Sequence, residues 1–176
     1  MKKLIINFTP SGMIPTKQMT PHVPVSPEEI ISEALDSRQF GVSMIHLHAR
    51  DKDGKPTYKK DIYKQIVKGI RDVDKDIIIC LSTSGRSWSE FEKRSECLEL
   101  QGSHKPDMGS LTLSSLNFNK QASVNSPDMI QMLAKKMLDN NINNFIKNQP
   151  CFGCRIFGLT AFMRMVIKGL KFFQPF

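Results

Sequence analysis

The sequence predicts an α/β fold in which a parallel sheet is covered by helices. Three observations carry this reading. Short apolar runs recur with centres near residues 5, 45, 79 and 110, a period of about 30–40 residues. Each run is followed by a segment with apolar residues at helical spacing. The third run is apolar almost throughout, as a strand buried on both faces must be. Strand–helix units of that size imply right-handed crossovers between parallel strands. An open doubly wound sheet and a (β/α)8 barrel both satisfy the pattern, and periodicity does not choose between them.

The elements follow in order. Residues 3–8 are the first apolar run, with strand character. Ser26-Pro27-Glu28-Glu29 then offers an N-cap serine, a proline at the first helical position and a capping-box glutamate. Apolar residues at 30, 31, 34 and 35 give that helix one buried face. Residues 43–48 read as a second strand. Residues 56–58 are turn-like, and Ile62, Tyr63, Ile66, Val67 and Ile70 mark a second helix. Residues 76–82 (DIIICLS) form the third strand. A third helix is expected from Ser87, with Glu90 as its capping glutamate. Residues 108–113 are a weaker fourth strand. Ser126-Pro127 opens a fourth helix, apolar at 129, 130, 133, 134, 137 and 138. After residue 140 the pattern degrades. Residues 140–148 hold five Asn in nine positions, and residues 158–173 have the composition of an apolar, basic helix with no clear strand before it.

Composition narrows the function classes. At 176 residues and 20.0 kDa the chain suits one domain. Its 40% hydrophobic and 24% charged residues are those of an ordinary globular protein. It contains no apolar run of about 18 residues, so no membrane span is expected. The start has an apolar run of only three residues, Leu4-Ile5-Ile6, which is too short for a secretory leader. The expected location is therefore cytoplasmic, with Cys80, Cys97, Cys151 and Cys154 reduced. The net charge of +8 is uneven: residues 141–176 carry five basic residues and no acid, and seven of the 14 aromatics. The first 140 residues are nearly balanced, which argues against a nucleic-acid partner.

Four constellations could carry chemistry. In Ile45-His46-Leu47-His48-Ala49-Arg50-Asp51, strand alternation points both imidazoles to one face. They lie at the strand's C-terminal end, where the sites of parallel α/β proteins sit. Two neutral imidazoles suit Zn²⁺ or a similar ion; the alternative is two polar residues bonded to neighbours. Ser82-Thr83-Ser84-Gly85-Arg86-Ser87 combines hydroxyls, glycine, a cation and an expected helix N-terminus, an anion site if not an ordinary βα loop. In Ser110-Leu111-Thr112-Leu113, Ser110 and Thr112 face the way the histidines do, and either line a polar cavity or bond to backbone. Cys151-Phe152-Gly153-Cys154 has redox or zinc spacing but follows no clean strand, and reads as chance. His22 and His104 read as surface residues.

These motifs in this order resemble the beta-keto acid cleavage enzyme family. The resemblance rests on His46 to Asp51, Asp53 to Tyr58, Ser82 to Arg86, Lys105 to Met108, Ser115 to Phe118, and Thr20-Pro21-His22 to Ser26-Pro27-Glu28-Glu29, and covers about residues 3–142. It implies a (β/α)8 barrel, here truncated to about four to five βα units with parallel strands. It implies a divalent metal, usually zinc, and acetyl-CoA as co-substrate in converting a β-keto acid to acetoacetate and a new CoA thioester. The founding activity is 3-keto-5-aminohexanoate cleavage in lysine fermentation. By resemblance His46 and His48 are metal ligands, and Ser82 contacts substrate. Ser110 stands where the family has a substrate-side threonine. No catalytic residue is assigned.

The resemblance also sets departures. The family's third metal ligand is a late glutamate, with a catalytic aspartate and an arginine nearby, and this chain ends before that region. The metal site is therefore expected to be weak or incomplete, and a non-catalytic fragment is the alternative. Ser11-Gly12-Met13-Ile14 offers no acid for a substrate amine, so a cationic β-keto acid is a poor substrate guess. Residues 1–142 are expected to be the N-terminal part of the barrel, and 143–176 a divergent basic, Phe-rich tail that a changed reading frame would explain. Expected partners are a small-molecule β-keto acid and acetyl-CoA, with no nucleic acid and no membrane; a homo-oligomer stays open.

Overall fold

The structure, a computed structural model, describes residues 4–118 and 121–147. Its centre is a parallel five-stranded sheet. The strands are β1 (Asn7–Phe8), β2 (Met44–Leu47), β5 (Ile78–Leu81), β6 (Met108–Thr112) and β9 (Asn143–Lys147), in that spatial order. Every neighbouring pair is parallel. Two small antiparallel ribbons sit in the connections: β3 (Ala49–Arg50) with β4 (Pro56–Thr57), and β7 (Leu116–Asn117) with β8 (Ala122–Ser123). The helices are α1 (Pro27–Asp36), α2 (Lys60–Val73), α3 (Phe91–Ser95) and α4 (Pro127–Asp139).

The capping signals explain most helix starts. Ser26 accepts from Glu29 N at 3.1 Å, and Glu29 accepts from Ser26 N at 3.2 Å, closing the box that opens α1. Ser126 caps α4 the same way, accepting from Met129 N. The start of α2 has no local cap; Glu96, 36 residues away in sequence, accepts from Lys60 N at 3.0 Å instead. That tertiary cap also satisfies an orphan donor.

Side-chain direction divides the sheet into two faces. Ile45, Leu47, Ile79, Leu81 and Leu111 join Ile30, Ile66, Val67, Ile70, Leu98, Leu133 and Met137 in one apolar cluster with the helices. The register His46–Cys80–Met108–Asn143 puts the alternating residues on the opposite face. That opposite face is concave. His46 on β2 and Phe145 on β9 are separated by two strands, so in a flat sheet their backbones would lie about 14 Å apart. Their ring centroids are 6.3 Å apart. Only a sheet curling towards closure brings them so near. The fold is thus part of a (β/α)8 barrel.

Four expectations about elements need correction. The first strand is Asn7–Phe8 rather than residues 3–8; Leu4 and Ile5 are exposed, and pairing with the second strand begins at the Ile6 carbonyl. Residues 56–57 pair with 49–50 as a hairpin, with the turn built on Gly54 at φ 74° and on Asp51, which accepts from Asp53 N and Lys55 N. The third helix starts at Phe91, not Ser87, because the Glu90 carboxylate pairs with Lys93 and Ser89 N instead of capping back to Ser87. Finally, a fifth strand exists where the Asn-rich run hides one: Asn143–Lys147 pairs with Met108–Thr112 over its whole length. The C-x-x-C pair and the rest of the Phe-rich tail lie outside the described residues.

Candidate functional site at the mouth of the curved sheet

His46 and His48 stand together on the concave face, as alternation requires. Their ring centroids are 4.7 Å apart, edge to face, and both side chains are buried. The strand holds them firmly, because Ile45 and Leu47 between and beside them are locked in the helix-facing core. His46 Nδ1 lies 3.3 Å from Cys80 Sγ. If Cys80 donates its S–H to Leu81 O, at 3.9 Å, its sulfur accepts from Nδ1–H and the lone pair resides on Nε2. That tautomer leaves Nε2 with a lone pair that a cation can accept. Among the described residues, no group of three or more His, Cys, Asp and Glu is placed to hold a metal ion.

Ser82 follows the Leu47–Leu81 pair, and its N–H bonds Leu47 O at 3.1 Å, so it sits laterally beside His48. Ser110 shares the same face through the register. Its hydroxyl accepts from Thr83 N at 3.1 Å, while Thr83 Oγ1 donates to Ser110 O. The two serines are buried and flank the histidines. Sequence reasoning placed all four residues at one end of the sheet, and the structure brings them together there.

It missed what holds them. Arg94, on α3, is buried and donates three hydrogen bonds. Nε reaches Thr83 O at 3.0 Å, Nη1 reaches Val124 O at 3.1 Å, and Nη2 reaches Asn125 Oδ1 at 2.6 Å. Asn125 in turn donates to Ser114 O, and its N–H bonds Ser115 Oγ. Burial pushes the Arg94 guanidinium down to about 10, so it stays charged at neutral pH. No local signal marks this role, since the partners lie 11 to 31 residues away. Gly85 is needed for space rather than for φ: a Cβ there would lie 2.7 Å from Arg94 Nη1 and 2.8 Å from Val124 O.

The anion-site reading of residues 82–87 loses one of its parts. The helix N-terminus is displaced to Phe91, and α3 has only five residues. Ser84 and Arg86 remain at the mouth, Ser84 accepting from Arg86 N at 3.3 Å. A pocket at this end of the sheet is lined by Tyr58, Trp88, Tyr63 and Cys97 as well as by Ser82 and Thr83. Tyr63 and Cys97 belong to the helix-facing core, whereas Ser82 stands beside His48. Of the lone histidines, His22 is exposed and His104 half-buried.

Among the described residues, no helix is long and apolar enough to cross a membrane. The family model for the beta-keto acid cleavage enzymes matches residues 3–150. A 3-keto-5-aminohexanoate cleavage enzyme of Acetoanaerobium sticklandii is 38% identical over 143 residues, covering 81% of this chain and 51% of that protein. A 3-oxoadipate:acetyl-CoA acetyltransferase of Cupriavidus necator is 34% identical over 133 residues, covering 76% and 45%. Thus the chain spans about half the length of the curated relatives it matches. Among solved structures, a ternary complex of ObcA with a C4-CoA adduct and oxalate superposes with a TM-score of 0.71. That match has 20% identity and covers 84% of this chain and 35% of the other, a likeness of fold.

Proposed function

The chain belongs to the beta-keto acid cleavage enzyme family, and on that premise we propose that it acts in metal-dependent cleavage of a β-keto acid. The reaction would take a β-keto acid and acetyl-CoA to acetoacetate and a new acyl-CoA. The observation that carries this reading is the pair of buried imidazoles on the concave face, flanked by Ser82 and Ser110. Two imidazoles on one strand face, with the Cys80 thiol 3.3 Å from Nδ1 of His46, form a donor set that fits zinc. His46 and His48 would hold the ion. A divalent cation there would supply Lewis acidity to the keto oxygen and to the enolate charge that C–C cleavage develops. Ser82, beside His48, is placed to hydrogen-bond a bound carboxylate or keto group. Ser110 uses a lone pair on Thr83 N and retains its O–H as a donor towards the same space. The Phe145 ring, 6.3 Å from that of His46, would limit water around the imidazoles.

The alternative reading is a non-catalytic family member with a weak metal site. Two experiments separate the readings. Folded protein with zinc, acetyl-CoA and a panel of β-keto acids should release acetoacetate; silence across a broad panel sinks the enzyme reading. Calorimetric zinc titration should show binding that His46→Ala or His48→Ala abolishes and that acid weakens, since imidazolium cannot ligate. Binding that survives loss of both histidines would show that the ligands lie elsewhere.

A further inference from the structure

We infer that Arg86, stacked on Phe118 at the mouth of the curved sheet, is a preformed binding site for a carboxylate or phosphate oxyanion. The inference deepens the proposed function by naming a residue that would receive the charged end of a substrate. The guanidinium carbon of Arg86 lies 3.5 Å from the centroid of the Phe118 ring. At that distance the planar cation lies against the ring face, where the ring quadrupole attracts it. The ring occupies the flat face and leaves the in-plane N–H fork at the edge. That fork matches the two oxygens of a carboxylate or phosphate.

Arg86 has no protein use for this fork. Among the described residues, its side chain enters no ion pair and donates no hydrogen bond. Arg38 and Arg71 both pair with carboxylates. Arg50 and Arg94 are buried and donate to oxygens of the protein through their Nη atoms. Arg86 is instead half-buried, and Phe118 keeps 40% of its surface exposed. An arginine in solvent would ordinarily keep its rotamer freedom. Here that freedom is already reduced before any ligand arrives.

The two loops that carry the pair are fixed relative to each other. Arg94 donates to Thr83 O on the Arg86 loop and to Val124 O and Asn125 Oδ1 beside the β7–β8 ribbon that carries Phe118. Gly85, next to Arg86, fills the space between Arg94 and Val124 O with no room for a Cβ. Both loops emerge from the C-terminal ends of their strands, as His48 and Ser82 do. A rigid cationic fork at that rim is preorganised for an anion, which lowers the ordering cost of binding. The oxyanion could be the carboxylate of a small acid or a phosphate of a nucleotide-bearing cofactor.

The test is titration of the full chain with acetoacetate, inorganic phosphate and ADP in separate arms at constant ionic strength. The sequence has a single tryptophan, Trp88, two residues from Arg86, so its fluorescence reports this loop alone. Calorimetry follows the same titrations. Saturable binding is expected in at least one arm, and the preferred arm identifies the source of the oxyanion. Arg86→Gln should weaken it about tenfold or more, the loss of a charge-assisted bond. Arg86→Lys should also weaken it, because an ammonium has no fork. Phe118→Leu should weaken it about two- to fivefold while leaving Arg86 in place. No saturable binding in any arm, or undiminished binding in both folded Arg86 variants, would overturn the inference. Oxyanion binding without turnover would leave this site standing and count against the enzyme reading; turnover with no effect of Arg86→Gln on binding would do the reverse.

Discussion

Gly85→Ala tests whether the loop between β5 and α3 is held as tightly as its contacts imply. The added methyl would lie 2.7 Å from Arg94 Nη1, 2.8 Å from Val124 O and 2.9 Å from Arg94 Cζ. An ordinary contact needs at least 3.4 Å, so something must move by more than half an ångström. Neither neighbour can move alone, since Arg94 Nη1 and Val124 O are bonded to each other at 3.1 Å. Shifting the guanidinium also strains its bonds to Thr83 O and Asn125 Oδ1. Overpacking costs about 1–3 kcal/mol, and hydrogen bonds to a charged group contribute about 1.5–3 kcal/mol each. The expected loss is therefore about 2–3 kcal/mol, the upper half of the overpacking range. For a chain of this size it lowers Tm by about 4–12 °C. Urea denaturation should show an earlier midpoint with an unchanged slope. Gly109→Ala is the control. Its methyl would meet Met137 Cε at 2.7 Å and Leu98 Cδ2 at 2.9 Å, ends of flexible side chains that can turn aside. That variant should lose about 1 kcal/mol. If Gly85→Ala is as stable as wild type, or Gly109→Ala is the costlier of the two, the rigidity argument fails.

Ser110→Ala leaves the buried Thr83 N–H without its acceptor and should cost about 1–3 kcal/mol in denaturation, whereas Ser110→Thr keeps the oxygen and should cost less than half as much; equal losses would refute the hydrogen-bond account. Bonds from Val25 N and Lys17 hold the Glu29 carboxyl down at about 2, against an ordinary 4.5. A folded value below the unfolded one means its stabilisation is complete above pH 4.5 and disappears as pH falls to about 2. Glu29→Gln should thus be less stable than wild type near neutrality and converge with it in acid; a gap that widens on acidification would contradict the sign. Burial pushes the Cys97 thiol up to about 12, so a maleimide at about pH 8 should leave it unmodified in the folded chain and label it after denaturation. Peptide mapping reads this directly, and rapid native labelling of Cys97 would count against its burial.

What the sequence disclosed and what it withheld divide along a physical line. Alternation fixed the faces of His46, His48 and Ser110, because side-chain direction in a strand is local. Caps fixed the starts of α1 and α4 for the same reason: donor and acceptor lie three residues apart. The misplaced start of α3 came from a competition that pattern reading could not weigh, since Glu90 can cap backwards or pair forwards with Lys93. The strand Asn143–Lys147 was hidden because asparagine is depleted in strands, and here pairing with β6 overrides that preference. The cap of α2 by Glu96 and the Arg94 brace were invisible because their partners are joined only by the fold. Arg50 stood in the motif that suggested the family, yet nothing in its neighbours announced that it would be buried.

Arg50 and Arg94 together explain why the rim of the sheet is both rigid and positive. A buried charge is costly unless hydrogen bonds satisfy it, and both arginines donate to neutral oxygens, Arg50 through its two Nη atoms and Arg94 through all three nitrogens. Arg50 donates to Gly54 O at 2.7 Å and to Gly12 O at 2.9 Å, tying the loop after β1 to the hairpin after β2. Arg94 ties the loop after β5 to the segment after β6. Neighbouring connections at the C-terminal ends of the strands are therefore braced in pairs, one guanidinium to each pair. A carboxylate could have neutralised either charge, but among the described residues none pairs with them. Burial lowers both guanidinium pKa values, that of Arg94 to about 10. At about 10 the Arg94 group keeps its charge at neutral pH, in a setting less polarisable than water, where that charge acts more strongly than at an open surface. With Arg86 on the loop that Arg94 braces, this end of the sheet carries three guanidinium groups.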